Sequence, residues 1–406
     1  MEMIYLDYNA TTPVETLVTA TMKPYLEMYF GNPSSLHIFG TKAKIAVEKA
    51  RKQVASLLHA RPDEIVFTSG GTESNNHAIK GAAMANREKG NHIITSGIEH
   101  PSVIEVCRYL ETLGFHLTFL PTDEYGMVDP AAVEEAITPA TILISIMHAN
   151  NEVGTIQPVE MIGKIAHAHG ILMHSDAAQS VGKIPVDVES LNVDLLSVAG
   201  HKFYAPKGIG ALYVRRGVKI EKLIHGADHE SNRRAGTENV PEIAGLGAAA
   251  ELGIRNYELG IRNYDAVSGH ASHVTGHDLN PPSFMRHLRD KLYQDIKQAI
   301  PEVRLNGHPE LRLPNTLSLG FPGIEAAILL HEMKGIAASA GAACHSDQSD
   351  ISGVLLSMQV PMKYAMGTIR FSVGRMTTEA EIERAIPIIV NEYRRLKNED
   401  TPLQAP

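Results

Sequence analysis

Residues 64–75 read Glu64-Ile-Val-Phe-Thr-Ser-Gly-Gly-Thr-Glu-Ser-Asn75 and combine a strand pattern with the start of a helix. The first half of this stretch is a short apolar run typical of a buried strand, and the second half begins a helical pattern. Glycines at the turn let the backbone approach an anion closely, and the first N–H groups of the helix have no intrahelical acceptor. The stretch predicts a phosphate-binding turn, although Ser-Gly-Gly also begins helices that bind nothing.

Strand and helix patterns continue to alternate from about residue 64 to 215. The predicted strands are Glu64 to Thr68, His92 to Thr95, His116 to Leu120, Thr141 to His148, Ile171 to Asp176, Leu195 to Val198 and Gly210 to Val214. Such alternation indicates an α/β fold with a mostly parallel sheet covered by helices on both faces. Ligand chemistry is then expected at the carboxyl ends of the strands.

A second, smaller α+β unit is expected in the C-terminal part. A helix is predicted over Phe284 to Ile300, a strand over Asn315 to Leu319 and a last helix over Glu379 to Lys397. Before it, residues 251–264 read Glu-Leu-Gly-Ile-Arg-Asn-Tyr twice, and Gly and Pro breaks follow. We therefore expect a flexible junction and domain boundary near 257–283.

Three histidines, His270, His273 and His277, lie in this junction. They raise the possibility of a metal site, but no carboxylate or cysteine completes a recognisable ligand set. An exposed polar linker is the preferred interpretation, and no metal is predicted.

Composition excludes several classes of function. The 406 residues are 44% apolar and 20% charged, and the net charge is -9, which gives no basis for binding nucleic acid or an anionic membrane. We find neither an apolar run of 18 residues nor a secretory signal, so a cytoplasmic location is expected. The only cysteines, Cys107 and Cys344, are too few for a disulfide framework.

Lys202 is a candidate for covalent chemistry. It follows Ala199-Gly200-His201 at the end of a predicted strand, where its amine would enter a cleft. Asp176 ends the preceding buried strand, and its carboxylate could pair with a protonated pyridine nitrogen and keep a cofactor ring an electron sink. Gln179 could donate to the phenolic oxygen of the ring, and His100 could stack on it or move protons. Taken singly, each residue also has a structural explanation.

Together these residues resemble the fold-type-I pyridoxal phosphate enzymes of the class V aminotransferase group, and are most similar to the cysteine desulfurases and selenocysteine lyases. The resemblance covers nearly the whole chain except the junction. Its further motifs are Tyr5-Leu-Asp-Tyr-Asn-Ala-Thr-Thr-Pro13, Gly31-Asn-Pro-Ser-Ser35, His148-Ala-Asn-Asn-Glu152, Arg233-Arg-Ala-Gly-Thr-Glu238 and Thr368-Ile-Arg-Phe-Ser-Val-Gly-Arg375.

The resemblance implies an α/β fold of type I, with a mostly parallel central sheet in a large cofactor-binding domain (14–257) and a smaller α+β domain (1–13 and 258–406). It also implies a role for each candidate residue. Lys202 would hold pyridoxal 5'-phosphate as a Schiff base, Asp176 would pair with the pyridine nitrogen, and Gln179 would bind the phenolic oxygen. His100 would stack on the ring. The phosphate would be bound by Gly71, Thr72 and His201, with Thr237 entering from the second subunit of a homodimer, and the substrate carboxylate would be bound by Asn151 and Arg370. Many desulfurases carry a phosphate-binding serine where this chain has Ala199, which removes one hydrogen bond.

Cys344 lies in Ala338-Ser-Ala-Gly-Ala-Ala-Cys-His-Ser346, a run of small residues that predicts a mobile loop. A thiolate on such a loop can attack the sulfur or selenium of a substrate and keep it as a persulfide. The other interpretation is a buried inert thiol. We expect the functional role for Cys344 and the structural one for Cys107, which lies in an apolar helical pattern.

Cysteine desulfurase is the preferred function: L-cysteine would become L-alanine, and its sulfur would go to Cys344 and then to an acceptor protein, for example in iron-sulfur cluster assembly. A selenocysteine lyase acting on L-selenocysteine is the alternative. The segments Gly341 to Asp347 and Val354 to Ser357 resemble those lyases, whereas Pro101 replaces the acidic residue that animal lyases carry after the stacking histidine. A class V aminotransferase is a third candidate, but it would leave Cys344 without a role.

Overall fold

The computed structural model describes residues 3–267, 281–340 and 351–399. The strands are β1 (Ile4–Tyr5), β2 (Ile65–Thr68), β3 (His92–Ser96), β4 (His116–Leu120), β5 (Thr141–Ser145), β6 (Leu172–Asp176), β7 (Leu195–Ala199), β8 (Gly210–Val214), β9 (Arg304–Asn306), β10 (Thr316–Gly320), β11 (Ile336–Ala337), β12 (Ser339–Ala340) and β13 (Thr368–Ser372). The helices are α1 (Thr16–Glu27), α2 (Ile38–Leu57), α3 (Gly71–Ala85), α4 (Pro101–Glu111), α5 (Pro130–Glu135), α6 (Val159–Ala168), α7 (His229–Asn232), α8 (Val240–Val267), α9 (Pro281–Ala299), α10 (Ala326–Glu332), α11 (Gly353–Ser357), α12 (Met362–Ala365) and α13 (Glu379–Glu399).

The strands predicted between residues 64 and 215 all belong to one sheet. Its seven strands lie in the order β2-β8-β7-β6-β5-β3-β4, and only β8 runs antiparallel to its neighbours. The predicted α/β class with a mostly parallel sheet is therefore confirmed. Four bounds differ by one residue, and β5 ends at Ser145 rather than at His148, although the N–H groups of Ile146 and His148 still donate to His174 and Asp176 of β6.

Helices cover both faces of this sheet because successive residues of a strand point to opposite sides. In β2, Ile65 and Phe67 belong to the hydrophobic core that includes residues of α2, α6 and α8, whereas Val66 belongs to the core that includes residues of α3 and α4. Each fully buried aliphatic or aromatic side chain contributes roughly 1.5–3 kcal/mol through removal of apolar surface from water. The two cores therefore hold the strand ends rigidly, and the site is built on those ends.

Three strand ends that carry predicted site residues meet at one edge of the sheet. β6 and β7 are parallel neighbours, and Asp176 is in register with Ser197. β2 is antiparallel to β8, which is antiparallel to β7, so β2 runs parallel to β7 and its carboxyl end lies at the same edge. The turn at Gly70 and the Gly200–Lys202 turn after β7 are thereby brought close to Asp176.

The C-terminal part has its own sheet, with the antiparallel order β12-β13-β10-β9 and with β1 paired to β11 beside it. The predicted strand and both predicted helices of this part are confirmed, with bounds shifted by a few residues at most. Ile4 and Leu6 pack in the same core as α9 and α13. This packing supports our proposal that 1–13 joins 258–406 in a small domain and that 14–257 forms the large one.

Helix α8 is longer than the sequence predicted. It continues to Val267 and includes the whole repeat of 251–264, which had been assigned in part to the flexible junction. The helix forms despite the glycines of the repeat, each of which costs roughly 1 kcal/mol. His270, His273 and His277 lie outside the described residues.

The described ranges contain neither a membrane-spanning helix nor a cluster of metal ligands. Within 3–267, 281–340 and 351–399, no helix is both long and apolar enough to cross a membrane. Over the same ranges, no group of three or more histidine, cysteine or acidic side chains is arranged to hold a metal ion.

Arg51 and Glu230 form a buried ion pair beneath the start of the phosphate-binding turn. The guanidinium of Arg51 donates to both carboxylate oxygens of Glu230 at 2.7 and 2.8 Å, and the Phe67 backbone N–H donates to the same carboxylate at 2.9 Å. Glu230 reaches this position from α7, where its backbone is left-handed (φ 50°). The pair therefore ties α2 and α7 to β2.

We expect Glu230→Ala to lower the free energy of unfolding by roughly 3–5 kcal/mol, because it leaves the buried Arg51 charge without its partner. Urea unfolding of the purified variant measures this change. The double variant Arg51→Met, Glu230→Leu should recover much of the loss. Glu105→Ala, which breaks the exposed pair with Arg108, serves as the control and should change the value by less than about 1 kcal/mol. Equal losses at the two sites would contradict the prediction.

Candidate active site

Lys202 lies where the first segment of the chain crosses the edge of the large sheet. Its Nζ donates to the carbonyl oxygens of Asn9 (2.6 Å) and Ala10 (3.0 Å). Burial and the positive charge of Arg370 lower the pKa of Lys202 to about 8, while Asp176 and Asp7 act in the opposite direction. A substantial fraction of the amine is therefore uncharged, and nucleophilic, at mildly alkaline pH.

Asp176 is buried and held in a fixed orientation. Its Oδ1 accepts the N–H of Ala178 at 2.9 Å, and its Oδ2 accepts the side-chain amide of Asn75 at 2.7 Å. The same Asn75 nitrogen donates to the Ser102 hydroxyl at 2.8 Å, which in turn contacts His100 Nδ1 at 2.8 Å. A continuous hydrogen-bonded chain therefore connects the carboxylate to the exposed imidazole at the N-cap of α4.

Gln179 lies one turn after Asp176 and faces Asn9. Its Nε2 donates to the Asn9 carbonyl oxygen at 3.0 Å, the same oxygen that accepts from Lys202. Its Oε1 accepts from the buried Lys183 Nζ at 2.6 Å. The amine of Lys202 and the amide of Gln179 thus converge on one backbone atom.

The predicted phosphate-binding turn is formed by Gly70, Gly71 and Thr72. Gly70 has φ +150°, and no side chain caps the helix that begins at Gly71, so the first N–H groups of α3 are available to an anion. Gly71 packs against β7, since a Cβ placed there would lie 3.1 Å from the Ala199 Cβ. His201 lies two residues after Ala199, and burial together with the Lys202 charge lowers the pKa of His201 to about 4.

Arg370 reaches the site from β13 of the smaller sheet. Its guanidinium donates to Asp7 Oδ1 and to the Asn151 carbonyl oxygen, both at 2.9 Å, and to the Ser339 hydroxyl at 3.2 Å. Its Nε is buried and has no partner among the described residues. The structure therefore brings Arg370 and the backbone of Asn151 together, and it leaves part of the guanidinium free for another acceptor.

The remaining predicted residues are placed differently. Thr237 lies exposed on the loop between α7 and α8, where it lines a small cavity with Ser69 and Gly208. That loop is held to the start of α3 by an ion pair between Arg234 and Glu73 at 2.8 Å. Cys344 lies outside the described residues. Cys107 is buried in α4, where burial raises the pKa of its thiol to about 12, which makes thiolate chemistry there unfavourable.

Sequence reasoning assigned no role to Asn9, Asn75, Lys183 or Asp7. Asn9 and Asp7 stand inside the N-terminal motif that carries the resemblance, but only the folded chain shows that they contact Lys202 and Arg370. Asn75 follows the phosphate-binding turn on α3. A signal existed for Lys183, because a residue four positions after Gln179 shares its face of a helical turn.

The residues present fit pyridoxal phosphate. A partly buried amine of lowered pKa, a buried carboxylate held by an amide, and a helix N-terminus with free N–H groups lie at one sheet edge. The amine can react with the aldehyde carbon of the cofactor, the carboxylate can pair with its protonated pyridine nitrogen, and the helix N–H groups can bind its phosphate. Ala199 closes the space beside Gly71 without offering a hydroxyl, as the sequence indicated.

Comparisons with known proteins agree with this arrangement. A family model described as aminotransferase class-V matches residues 4–278 and 283–385. Cysteine desulfurase IscS of Dictyoglomus turgidum is 46% identical over 396 residues, which cover 97% of this chain and 95% of that relative. A solved NifS-like protein is 36% identical with a TM-score of 0.85, covering 98% of this chain and 100% of that one. The structure of SspA in complex with cysteine is 37% identical with a TM-score of 0.76, covering 92% and 100%.

Arg370→Met should raise the pKa of Lys202 above about 8, by up to about one unit, because the nearby guanidinium disfavours the protonated amine. Competitive acylation of the cofactor-free protein at a series of pH values, read by mass spectrometry, gives this pKa. Arg375→Met is the matched control, since Arg375 is ion-paired with Glu15 and is not among the charges acting on Lys202. An unchanged or lowered pKa in Arg370→Met would show that burial alone sets the value.

Proposed function

Because this chain belongs to the class V aminotransferase family and, within it, to the cysteine desulfurases, we propose that it converts L-cysteine into L-alanine and transfers the sulfur to Cys344 as a persulfide. It is a pyridoxal phosphate enzyme of fold type I. The observation that carries the proposal is the convergence of Lys202, Asp176 and Gln179 at one edge of the sheet, beside a helix N-terminus suited to phosphate.

We assign the central roles to Lys202 and Asp176. Bound pyridoxal phosphate supplies an electron sink for the pair of electrons released at the substrate Cα. Lys202, whose pKa of about 8 leaves part of its amine neutral, would hold the cofactor covalently and remove the Cα proton once the substrate amine has displaced it. Asp176, oriented by Asn75, would keep the pyridine nitrogen protonated.

The remaining cofactor contacts follow from the same geometry. Gly71 and Thr72 would bind the phosphate through N–H groups at the start of α3, with His201 beside them. Gln179 would donate to the phenolic oxygen. His100 would stack on the ring, and its hydrogen bond to Ser102 would set the orientation of the imidazole. Because these contacts would surround the cofactor ring, together they would hold the ring in one orientation.

Substrate binding is assigned to Arg370 and Asn151. A guanidinium suits a carboxylate because two parallel N–H groups can donate to its two oxygens. The ion pair with Asp7 at 2.9 Å holds Arg370 in place before substrate enters. The unpartnered Nε and the position of Arg370 beside Lys202 favour an amino acid that presents its carboxylate to β13 and its amine to the large sheet.

We assign Cys344 as the sulfur acceptor because small residues surround it in the sequence and because the chain from β12 to Cys344 is long enough to bring its thiol to the substrate. Ser339 of β12 is in register with Arg370 of β13, and Cys344 follows Ala340 by four residues. Four residues of extended chain span at most about 14 Å, which brings a thiol within range of a substrate held by Arg370. A thiolate there would attack the γ sulfur of the substrate, so that an S–S bond forms while the Cβ–Sγ bond breaks and its electron pair stays on the three-carbon fragment, which takes up protons to become alanine.

We propose that the active enzyme is a homodimer, with Thr237 entering the partner's site. Large apolar side chains are exposed on α1, on α2 and between them, and Leu36 is 99% exposed. The others are Leu17, Leu26, Met28, Phe30, Ile38, Phe39 and Ile45. So large an exposed apolar surface is typical of an interface, and a second copy of this chain is our proposed occupant.

Two further assignments complete the proposal. The persulfide would pass to an acceptor protein, and similarity to a relative named IscS favours one that builds iron-sulfur clusters. A cytoplasmic location is proposed because a catalytic thiol must be kept reduced. L-selenocysteine remains the alternative substrate, although similarity to relatives named cysteine desulfurase favours cysteine.

Lys202→Ala should abolish alanine formation from cysteine, at least about a thousandfold, together with the visible absorption of the lysine-bound cofactor, because both need the amine. Alanine assay and absorption spectroscopy of the purified variant measure these losses. Lys164→Ala changes an exposed lysine on α6 and serves as the control, with both properties retained. Activity and absorption that persisted in Lys202→Ala would refute the assignment.

Cys344→Ser should abolish sulfide release from cysteine, since serine cannot form a persulfide, while cofactor binding stays intact. Selenocysteine cleavage is expected to survive in part because the C–Se bond is weaker. Comparing kcat/KM for both amino acids in wild type and variant tests this directly, and Cys107→Ser is the matched control. A wild-type enzyme with negligible turnover of cysteine would favour the selenocysteine lyase, and conversion of the cofactor to its amine form would favour an aminotransferase.

A further inference from the structure

Lys183 is a buried lysine to which none of the assigned functions gives a role. It is only 4% exposed and makes no salt bridge with any described carboxylate. Its Nζ donates to Gln179 Oε1 at 2.6 Å and to Asn9 Oδ1 at 3.2 Å. Burying an amine among neutral amides is costly, and an apolar side chain of the same size would fill the space more cheaply. A lysine at this position therefore calls for an explanation beyond packing.

The contact with Lys183 decides which way the Gln179 amide points. A side-chain amide has an accepting oxygen on one side and a donating nitrogen on the other. Because a lysine ammonium can only donate, Oε1 faces Lys183, and Nε2 faces the opposite side, toward Lys202 and the carbonyl of Asn9. Without Lys183, Oε1 would lose its donor, and only the Asn9 carbonyl oxygen would still favour this orientation.

We propose that Lys183 is a positioning residue that holds Gln179 with its Nε2 directed at the phenolic oxygen of pyridoxal phosphate. The inference rests on the role assigned to Gln179 in the proposed function. Lys183 touches neither substrate nor cofactor in this account, and it acts only through Gln179. An oxygen presented by a rotated amide would repel the phenolate, so the orientation determines whether the contact is attractive.

The backbone makes this placement specific. Residues 177–184 form a turn in which the N–H of Lys183 donates to Ser180 O at 3.0 Å, and the contact of Lys183 Nζ with Gln179 Oε1 places the two side chains together. Gly182 has φ +77°, and a Cβ there would lie 2.6 Å from the Phe203 Cβ. The turn is therefore packed directly under the segment that follows Lys202.

The protonation state of Lys183 changes how strictly the contact orients the amide. Burial, Lys202 and Arg370 all lower the pKa of Lys183 well below its usual value. The ammonium can only donate and admits one amide orientation, whereas the neutral amine also carries an accepting lone pair, and in that state the Asn9 carbonyl oxygen that accepts from Nε2 helps to hold the same orientation. The hydrogen bond to Asn9 Oδ1 holds the amine from a second direction, and Asn9 is itself fixed by Asn315 and Thr316.

The test compares cofactor affinities of full-length holoenzymes by equilibrium dialysis, using pyridoxal phosphate and an analogue that lacks the 3-hydroxyl group. Lys183→Met should weaken the binding of pyridoxal phosphate on the order of tenfold relative to the analogue, the value of one hydrogen bond to a charged oxygen. In a Gln179→Leu background, Lys183→Met should change the affinity ratio by less than about twofold, because its effect passes through Gln179.

Gln179→Glu tests the orientation without altering Lys183. The carboxylate keeps an oxygen toward Lys183 and puts a second oxygen where Nε2 stood, so pyridoxal phosphate should lose affinity on the order of tenfold relative to the analogue. An unchanged ratio would mean that an oxygen already faces the phenolate, and it would overturn the inference. The inference would also be overturned if Lys183→Met lowered cofactor affinity equally with Gln179 and with Gln179→Leu, or if it lowered the affinity for pyridoxal phosphate and for the analogue equally. A failure of the proposed function is read separately, from the Lys202→Ala variant.

Discussion

The site depends on Asn9, a single residue of the N-terminal segment that lies across the edge of the large sheet. Its carbonyl oxygen accepts from Lys202 and Gln179, and its side-chain oxygen accepts from Lys183 and Asn315. The backbone around it also pairs with β13, since the Tyr8 N–H donates to Ser372 O. One short segment therefore connects the strand ends of the large sheet to the smaller sheet, and it sets the distance between the amine and the guanidinium on either side.

Positive charge is concentrated around this segment. Arg370 lowers the pKa of Lys202 and of Lys183, Lys202 also lowers the pKa of Lys183, and Asp176 and Asp7 oppose the effect at Lys202. Such a site suits a dianionic phosphate and an amino-acid carboxylate, because each anion relieves repulsion already present. Burial together with the Arg370 charge keeps the amine of Lys202 partly neutral, as nucleophilic attack on a carbonyl carbon requires. The Arg370 charge thus contributes both to the affinity for anions and to the activation of the amine.

Much of the fold could be predicted because it rests on local patterns. Short apolar runs bounded by glycine turns identified every strand of the large sheet, and the turn at Gly71 was recognised from residue type alone. Helix α8 was underestimated, since glycine and repeated polar residues look like a break when the packing of its first half against α1 and α2 is unknown. The candidate residues at strand ends were predictable because parallel strands present their carboxyl ends at one edge.

The sequence alone indicated the α/β class, the family and its pyridoxal phosphate cofactor, because these follow from residue type, order and spacing along the chain. Only the tertiary structure decided which side chains share hydrogen bonds. The contact of Asp7 with Arg370 spans residues far apart in sequence, as does that of Asn9 with Lys183. The direction of the Gln179 amide and the lowered pKa of Lys202 depend on burial and on neighbours brought in by folding, and no local pattern encodes them.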